Sequence, residues 1–138
     1  MSSAFARVAT DSVAGLPGGV RGYLVLVALA GAVEPPSQLA LAKEVSLDRT
    51  VTTYLLDDLE AHRLVTRQPD PRDRRVRQVL LTDTGRARLA EVRTTLGSAE
   101  ARLLADLGPE EARQLRDLLS RVARTAQRDA LAAAEQDC

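Results

Sequence analysis

The sequence predicts a mainly α-helical protein with one small β-hairpin, and three observations carry that expectation. Apolar residues recur at helical spacing along most of the chain. One Phe, two Tyr and no Trp leave Leu, Val and Ala to fill the interior, as in packed helices that share apolar stripes. A single stretch, Leu64 to Thr82, abandons the helical period for β-compatible residues on either side of a proline-containing turn. With 138 residues, 45% of them hydrophobic and 28% charged, the chain has room for one compact domain and a modest core.

The elements follow in chain order. Phe5, Val8, Ala9 and Val13 place a short amphipathic helix over Ser3 to Ala14, ended by the turn Gly15-Leu16-Pro17-Gly18-Gly19. Val20 to Gly31 is apolar nearly all round and reads as a buried helix that stops before Glu34-Pro35-Pro36, since proline disfavours helix in its predecessor. Ser37 caps a helix over Ser37 to Glu44, and Val45-Ser46-Leu47 links it to a second over Asp48 to His62 that carries Leu55, Leu56 and Leu59. Two short helices so joined form a helix-turn-helix pattern. Leu64 to Gln68 and Arg75 to Thr82 then pair as a hairpin around the turn Pro69 to Arg74. Thr82 caps a long helix with Leu89, Val92, Leu96, Ala99, Leu103 and Leu107 on one stripe, locally weakened by Gly97. Gly108-Pro109-Glu110-Glu111 opens the last helix, whose stripe is Leu115, Leu118, Leu119, Val122 and Ala126.

Charge narrows the partner. The formal net charge is zero, yet Arg63 to Arg88 holds eight Arg against three Asp, a local +5. Almost all the basic residues are Arg, so any single one reads as solvated surface. Arg72, Arg74, Arg75 and Arg77 within six positions of a proline-braced turn are different, because like charges so close destabilise the fold unless a polyanion neutralises them. A helix-turn-helix that runs into such a basic hairpin is a winged helix. The terminal helices cannot all bury their stripes in so small a core, so residues 1–19 and 83–138 are expected to form a helical dimerisation region, with 20–82 as the DNA-binding region.

Other classes find little support. Cys138 is the sole cysteine and His62 the sole histidine, which leaves no disulfide and no Cys/His metal cluster, and no cofactor is expected. No nucleophile–base pair and no glycine-rich phosphate loop after a strand is present, and Asp57 and Asp58, being adjacent, point in different directions, so an enzyme is not expected. The longest apolar run, Tyr23 to Val33, is shorter than the ~20 residues a bilayer requires, and Met1 to Ala14 lacks a basic stretch followed by an apolar run. These readings predict a soluble, cytoplasmic protein.

From Tyr23 to Ala123 the sequence resembles the MarR family of winged helix-turn-helix regulators. The likeness rests on Leu39-Ala40-Leu41-Ala42, on the run from Leu47 to Glu60, on Leu64-Val65, and above all on Asp70-Pro71-Arg72-Asp73-Arg74-Arg75 followed by Val79-Leu80-Leu81-Thr82 and Gly85. It implies a homodimer that binds a pseudo-palindromic operator in double-stranded DNA, usually as a repressor, and releases it when a small aromatic or phenolic acid binds. It also implies that Asp48 to His62 is the recognition helix and Arg72 to Arg75 the wing tip. Three departures stand out. His62-Arg63 and Ser46 replace glycines at the two helix corners, Tyr54 stands where relatives commonly have Arg, and no cysteine precedes Val20 as in the peroxide-sensing members.

If Thr52, Leu55, Leu56 and Leu59 face the core, then Arg49, Thr50, Thr53 and Tyr54 turn outward and become the candidate base readers. Arg49 suits guanine, unless Asp48 or Asp57 holds it; Thr50, Thr53 and Val51 suit phosphate or a thymine methyl. In the wing, Arg74 is placed to enter the minor groove, Arg72 and Arg75 to meet phosphates, and Asp73 to brace an arginine. A winged helix serving only protein interaction is the alternative, and the arginine cluster counts against it.

Overall fold

The computed structural model describes residue 7 and residues 10–136, with side chains of the final helix described to residue 125. Two compact units result, one running to Ala99 and one beginning at Glu100. The elements are α1 (Val20–Gly31), α2 (Gln38–Glu44), α3 (Arg49–Ala61), β1 (Val65–Pro69), β2 (Arg77–Leu81), α4 (Asp83–Leu103) and α5 (Pro109–Gln136). The architecture is the expected one, mainly helical with a single two-stranded antiparallel hairpin. The predicted helix over Ser3 to Ala14 lies largely outside the described residues; within it, 10–13 are helical and Val13 is buried.

The core of the first unit is aliphatic. Val25, Leu26 and Leu29 of α1, Leu41 of α2, Leu55, Leu56 and Leu59 of α3, and Val65 and Val79 of the hairpin form one cluster, joined by Leu16, Leu64 and Leu89. Helix α1 departs from the prediction of burial all round, since Val20 and Leu24 are exposed; Gly22, Val25, Leu26 and Leu29 are buried, and Tyr23, Val27, Ala28 and Ala30 pack against the core while partly buried. Composition marks a helix as apolar but does not say how many neighbours will cover it.

Both helix corners close in the same way. At the end of α2, Ser46 adopts φ 53°, Leu47 N–H donates to Ala42 C=O at 2.9 Å and Ser46 N–H to Lys43 C=O at 3.1 Å. At the end of α3, Arg63 adopts φ 59°, Leu64 N–H donates to Leu59 C=O and Arg63 N–H to Glu60 C=O, both at 2.9 Å. These are Schellman motifs with a side chain at the left-handed position that glycine usually fills. They satisfy the terminal carbonyls and turn the chain sharply into the next element.

The hairpin pairs Val65 with Leu81 and runs to Pro69 opposite Arg77. Its strands are displaced by one or two residues from the predicted Leu64–Gln68 and Arg75–Thr82. The outer side of β2 is also engaged: Val79 N–H donates to Pro36 C=O at 2.9 Å and Ser37 bridges Gln78. An isolated backbone bridge just before α2 therefore ties the helix-turn-helix to the hairpin. Thr82 then caps α4 as expected, its hydroxyl accepting from Gly85 N–H at 2.9 Å while it donates toward Arg63 C=O at 2.6 Å. Helix α4 ends at Leu103 rather than reaching Leu107, with residues 104–106 in a turn. In the second unit, Glu111 accepts from Gly108 N–H at 2.8 Å and so caps the start of α5. Of the predicted α5 stripe, Leu118, Leu119 and Val122 are exposed, and Ala126 lies outside the described side chains.

Gly85 lets α4 lie directly on the start of the hairpin: a Cβ there would stand 2.0 Å from Leu64 C=O and 2.7 Å from Leu81 Cδ1. Gly85→Ala should cost about 1–3 kcal/mol, the usual penalty of overpacking a tight contact, read from the urea midpoint. Ser46→Gly should act in the opposite sense. Relief of the left-handed strain of about 1–2 kcal/mol outweighs the greater freedom of glycine in the unfolded chain, about 0.4–1 kcal/mol, so the same midpoint should rise.

Candidate nucleic-acid interface

Helix α3 is set by its first residue and its buried face. Asp48 accepts from Thr50 N–H at 2.8 Å and Val51 N–H at 3.3 Å, closing the helix start. Thr52, Leu55, Leu56 and Leu59 are buried, and the Thr52 hydroxyl donates to Asp48 C=O at 2.8 Å, so its burial leaves nothing unsatisfied. The other face carries Arg49 and Thr50, both exposed, and Tyr54 at 72% exposure. Thr53 stands apart from these three. It is half-buried, its hydroxyl donates to Arg49 C=O at 3.0 Å, and it accepts from Gln38 Nε2 at 2.8 Å, which ties α3 to α2. Arg49 makes no ion pair among the described residues: Asp48 is engaged at the helix cap, and Asp57 pairs elsewhere.

The partner of Asp57 is Arg67, a residue that looks in the sequence like one more cation of the basic stretch. From β1 its guanidinium donates to Asp57 Oδ1 at 2.6 Å and to Glu60 Oε2 at 2.6 and 3.0 Å, and its amide donates to Glu60 Oε1 at 2.9 Å. The Arg67 side chain is only 19% exposed. Its hydrogen bonds to the Glu60 side chain outweigh the cost of partial burial and hold that carboxyl below its ordinary value. Arg67 is thus a clamp between the hairpin and the second half of α3, and its charge is neutralised within the protein. The sequence held one signal for it, a cation two positions into a strand that directly follows an acidic helix end.

The wing loop, residues 70–76, is braced by two short polar turns. Asp70 accepts from Arg72 N–H at 2.7 Å and from Gln78 Nε2 at 3.1 Å. Asp73 accepts from Arg75 N–H at 3.0 Å and from its guanidinium at 3.1 and 3.2 Å, an arrangement that holds the Asp73 carboxyl below the usual carboxylate range. Arg72 reaches back to Glu34, 3.0 Å away, with both side chains well exposed. Arg74 is exposed at the tip and, like Arg77 at the root of β2, forms no ion pair among the described residues. Among those residues no group of three or more His, Cys, Asp or Glu could hold a metal ion, and no helix is long and apolar enough to cross a membrane.

Known proteins resemble this chain in sequence and fold. The MarR family model matches residues 15–76, the span from the turn before α1 to the end of the wing loop. The wild-type MarR structure from E. coli superposes with a TM-score of 0.75 at 26% identity, over 88% of this chain and 89% of that one. Over residues 15–76 the chain is similar to the MarR family. A second MarR-like structure, the transcriptional repressor CouR bound to a 23-mer DNA duplex, gives a TM-score of 0.73 at 29% identity and covers 88% of both chains. CouR from Rhodococcus jostii RHA1 has also been crystallised with p-coumaroyl-CoA, at 27% identity and a TM-score of 0.67 over 88% of this chain and 85% of that one. An uncharacterised HTH-type transcriptional regulator, YdgJ of Bacillus subtilis, is 34% identical over 82 residues, 51% of this chain; the match spans half of YdgJ. This chain carries Ser46 and Arg63 at its left-handed corners, so both turns keep their geometry without glycine.

The Arg67 clamp has a pH signature. The folded-state pKa of Glu60 lies below its ordinary 4.5, so the ion pair contributes stability that is fully present above that value and is lost as pH falls through the depressed one. Glu60→Gln should lower stability by about 1 kcal/mol at neutral pH, discounted for the partial exposure of the pair. The difference in Tm between the two proteins should stay constant down to pH 5 or so and shrink below about 4.5. A gap that persists unchanged at pH 3 would show that Glu60 acts through packing alone.

Proposed function

We propose that this chain is a sequence-specific DNA-binding transcriptional regulator, a cytoplasmic homodimer that represses through a pseudo-palindromic operator and responds to a small aromatic or phenolic acid. The observation that carries the reading is the adjacency of two surfaces. The exposed side of α3 offers Arg49, Thr50 and Tyr54, and next to it the wing presents Arg74 to solvent with no acid to hold it. An α-helix of this size fits the major groove while an arginine-tipped loop fits the narrow minor groove beside it.

Within this reading the base readers are Arg49, Thr50 and Tyr54, with the Thr53 methyl group available to a thymine because its hydroxyl is already bonded. Arg74 enters the minor groove, Arg72 and Arg75 meet phosphates, and Asp73 braces Arg75. Exposure of Leu118, Leu119 and Val122 on α5 supports a dimer, built from residues 1–19 and 83–138, in which a second copy covers that stripe. The effector reading is supported by a relative, CouR, that takes p-coumaroyl-CoA. Repression is supported by the same relative, a repressor seen on duplex DNA.

Selection of bound sequences from random duplex should enrich an inverted repeat whose half-sites lie about 10 base pairs apart, the spacing of successive major grooves on one face. Enrichment of no inverted repeat would leave the protein-interaction reading in its place. On the selected operator, Arg74→Ala should weaken binding by about 1–3 kcal/mol and lower the slope of log K against log salt by about one. Unchanged affinity in a salt-titrated anisotropy assay would remove the wing from the mechanism.

A further inference from the structure

Arg77 lies outside the candidate readers, yet the structure sets it opposite one of them. Residues 37–39 at the start of α2, Arg49 at the start of α3, and Arg75, Val76 and Arg77 of the wing line a single groove of about 380 Å³. Three of its lining residues are arginines and none is an acid. Their charges are not equivalent. Arg75 is held by both oxygens of Asp73, whereas Arg49 and Arg77 form no ion pair among the described residues. Arg77 also borders the neighbouring recess that contains Glu60 and Arg67, but both Glu60 oxygens already accept from Arg67. Two arginines without an ion pair among the described residues, Arg49 and Arg77, therefore line one concavity between the helix and the wing. Such an arrangement repels itself until an anion enters.

We infer that this groove seats one backbone phosphate of the duplex, held by Arg49 from the helix side and Arg77 from the wing side. The inference rests on the DNA-binding reading and refines it. It moves Arg49 from guanine to the phosphodiester and adds Arg77 as a contact residue. A phosphate in this position spaces the bases met by α3 from the minor groove met by Arg74, because both elements are then fixed to one point on one strand. The Gln38–Thr53 bond ties α2 to α3 beside the groove and so holds the helix side of the seat in place.

The test compares the full-length protein with Arg49→Gln, Arg77→Gln and Arg77→Lys. Both residues are exposed, so thermal melts should match the unmodified protein and certify the fold of each variant. Each glutamine variant should lower the slope of log K against log salt by about one, on operator and random duplex alike, and so leave the preference between them unchanged. Arg77→Lys should keep most of the slope, since an ammonium still neutralises the charge. Ethylation of phosphates should reveal one position per half-site that blocks the unmodified protein and has no effect on either glutamine variant. Loss of base preference at a single operator position in Arg49→Gln would overturn the inference, as would unaltered slopes or different phosphates for the two variants. If the unmodified protein prefers no inverted repeat but still binds random duplex, the operator reading falls while the salt slopes still decide the seat. Binding to no duplex at all would end both.

Discussion

Arg63 and Leu64 form the junction on which the geometry of the basic face depends. The left-handed turn at Arg63 ends α3 and starts β1 within two residues, which forces the hairpin to rise beside the helix it follows. Leu64 then takes on several duties at once. Its amide closes the Schellman motif, its side chain is buried in the core, and its carbonyl accepts from Thr82 N–H and from the Thr82 hydroxyl. Helix α4 can approach that carbonyl only because Gly85 has no side chain. One peptide unit thereby fixes the helix, the hairpin and the start of the next helix relative to one another.

Electrostatics divides the arginines of the basic stretch into different roles despite their similar appearance in sequence. Arg67 is committed to Asp57 and Glu60, Arg75 to Asp73, and Arg72 to Glu34 across an exposed gap. Arg74 and Arg77, together with Arg49 from the helix, form no ion pair among the described residues and are exposed. A formal net charge of zero is therefore compatible with a strongly cationic face, because the acids that offset it are spent at particular points behind and beside that face. Exposed pairs such as Arg72–Glu34 contribute little stability and are easily exchanged for a phosphate, while the half-buried Arg67 clamp is not.

Much of this was legible in the sequence, for identifiable reasons. Ser37 and Thr82 were recognisable as caps because a hydroxyl before an apolar-periodic run has few other uses. The hairpin was located to within two residues because the turn-rich Pro69 to Arg74 and the β-compatible Val76, Val79, Leu80 and Leu81 mark a turn and a strand. Asp73 as a brace followed from its place among arginines. The bridge at Pro36 and Ser37 was hidden, since a single bridge carries no periodicity. The role of Arg67 was hidden too: its acids lie seven and ten residues earlier on a helix, a relation that exists only once the strand has folded back along that helix. Exposure of Val20 and Leu24 depends on how many elements cover α1, which no local pattern records.

The bond from Val79 to Pro36 gives the molecule a mechanical linkage. Residues 32–36 leave the end of α1, pass under two prolines that limit their bending, and connect directly to the strand that carries the wing. Glu34 of the same segment also reaches Arg72 of the wing loop through an exposed pair. A shift at the end of α1 that moves Pro36 therefore strains the backbone hydrogen bond by which this segment is tied to β2.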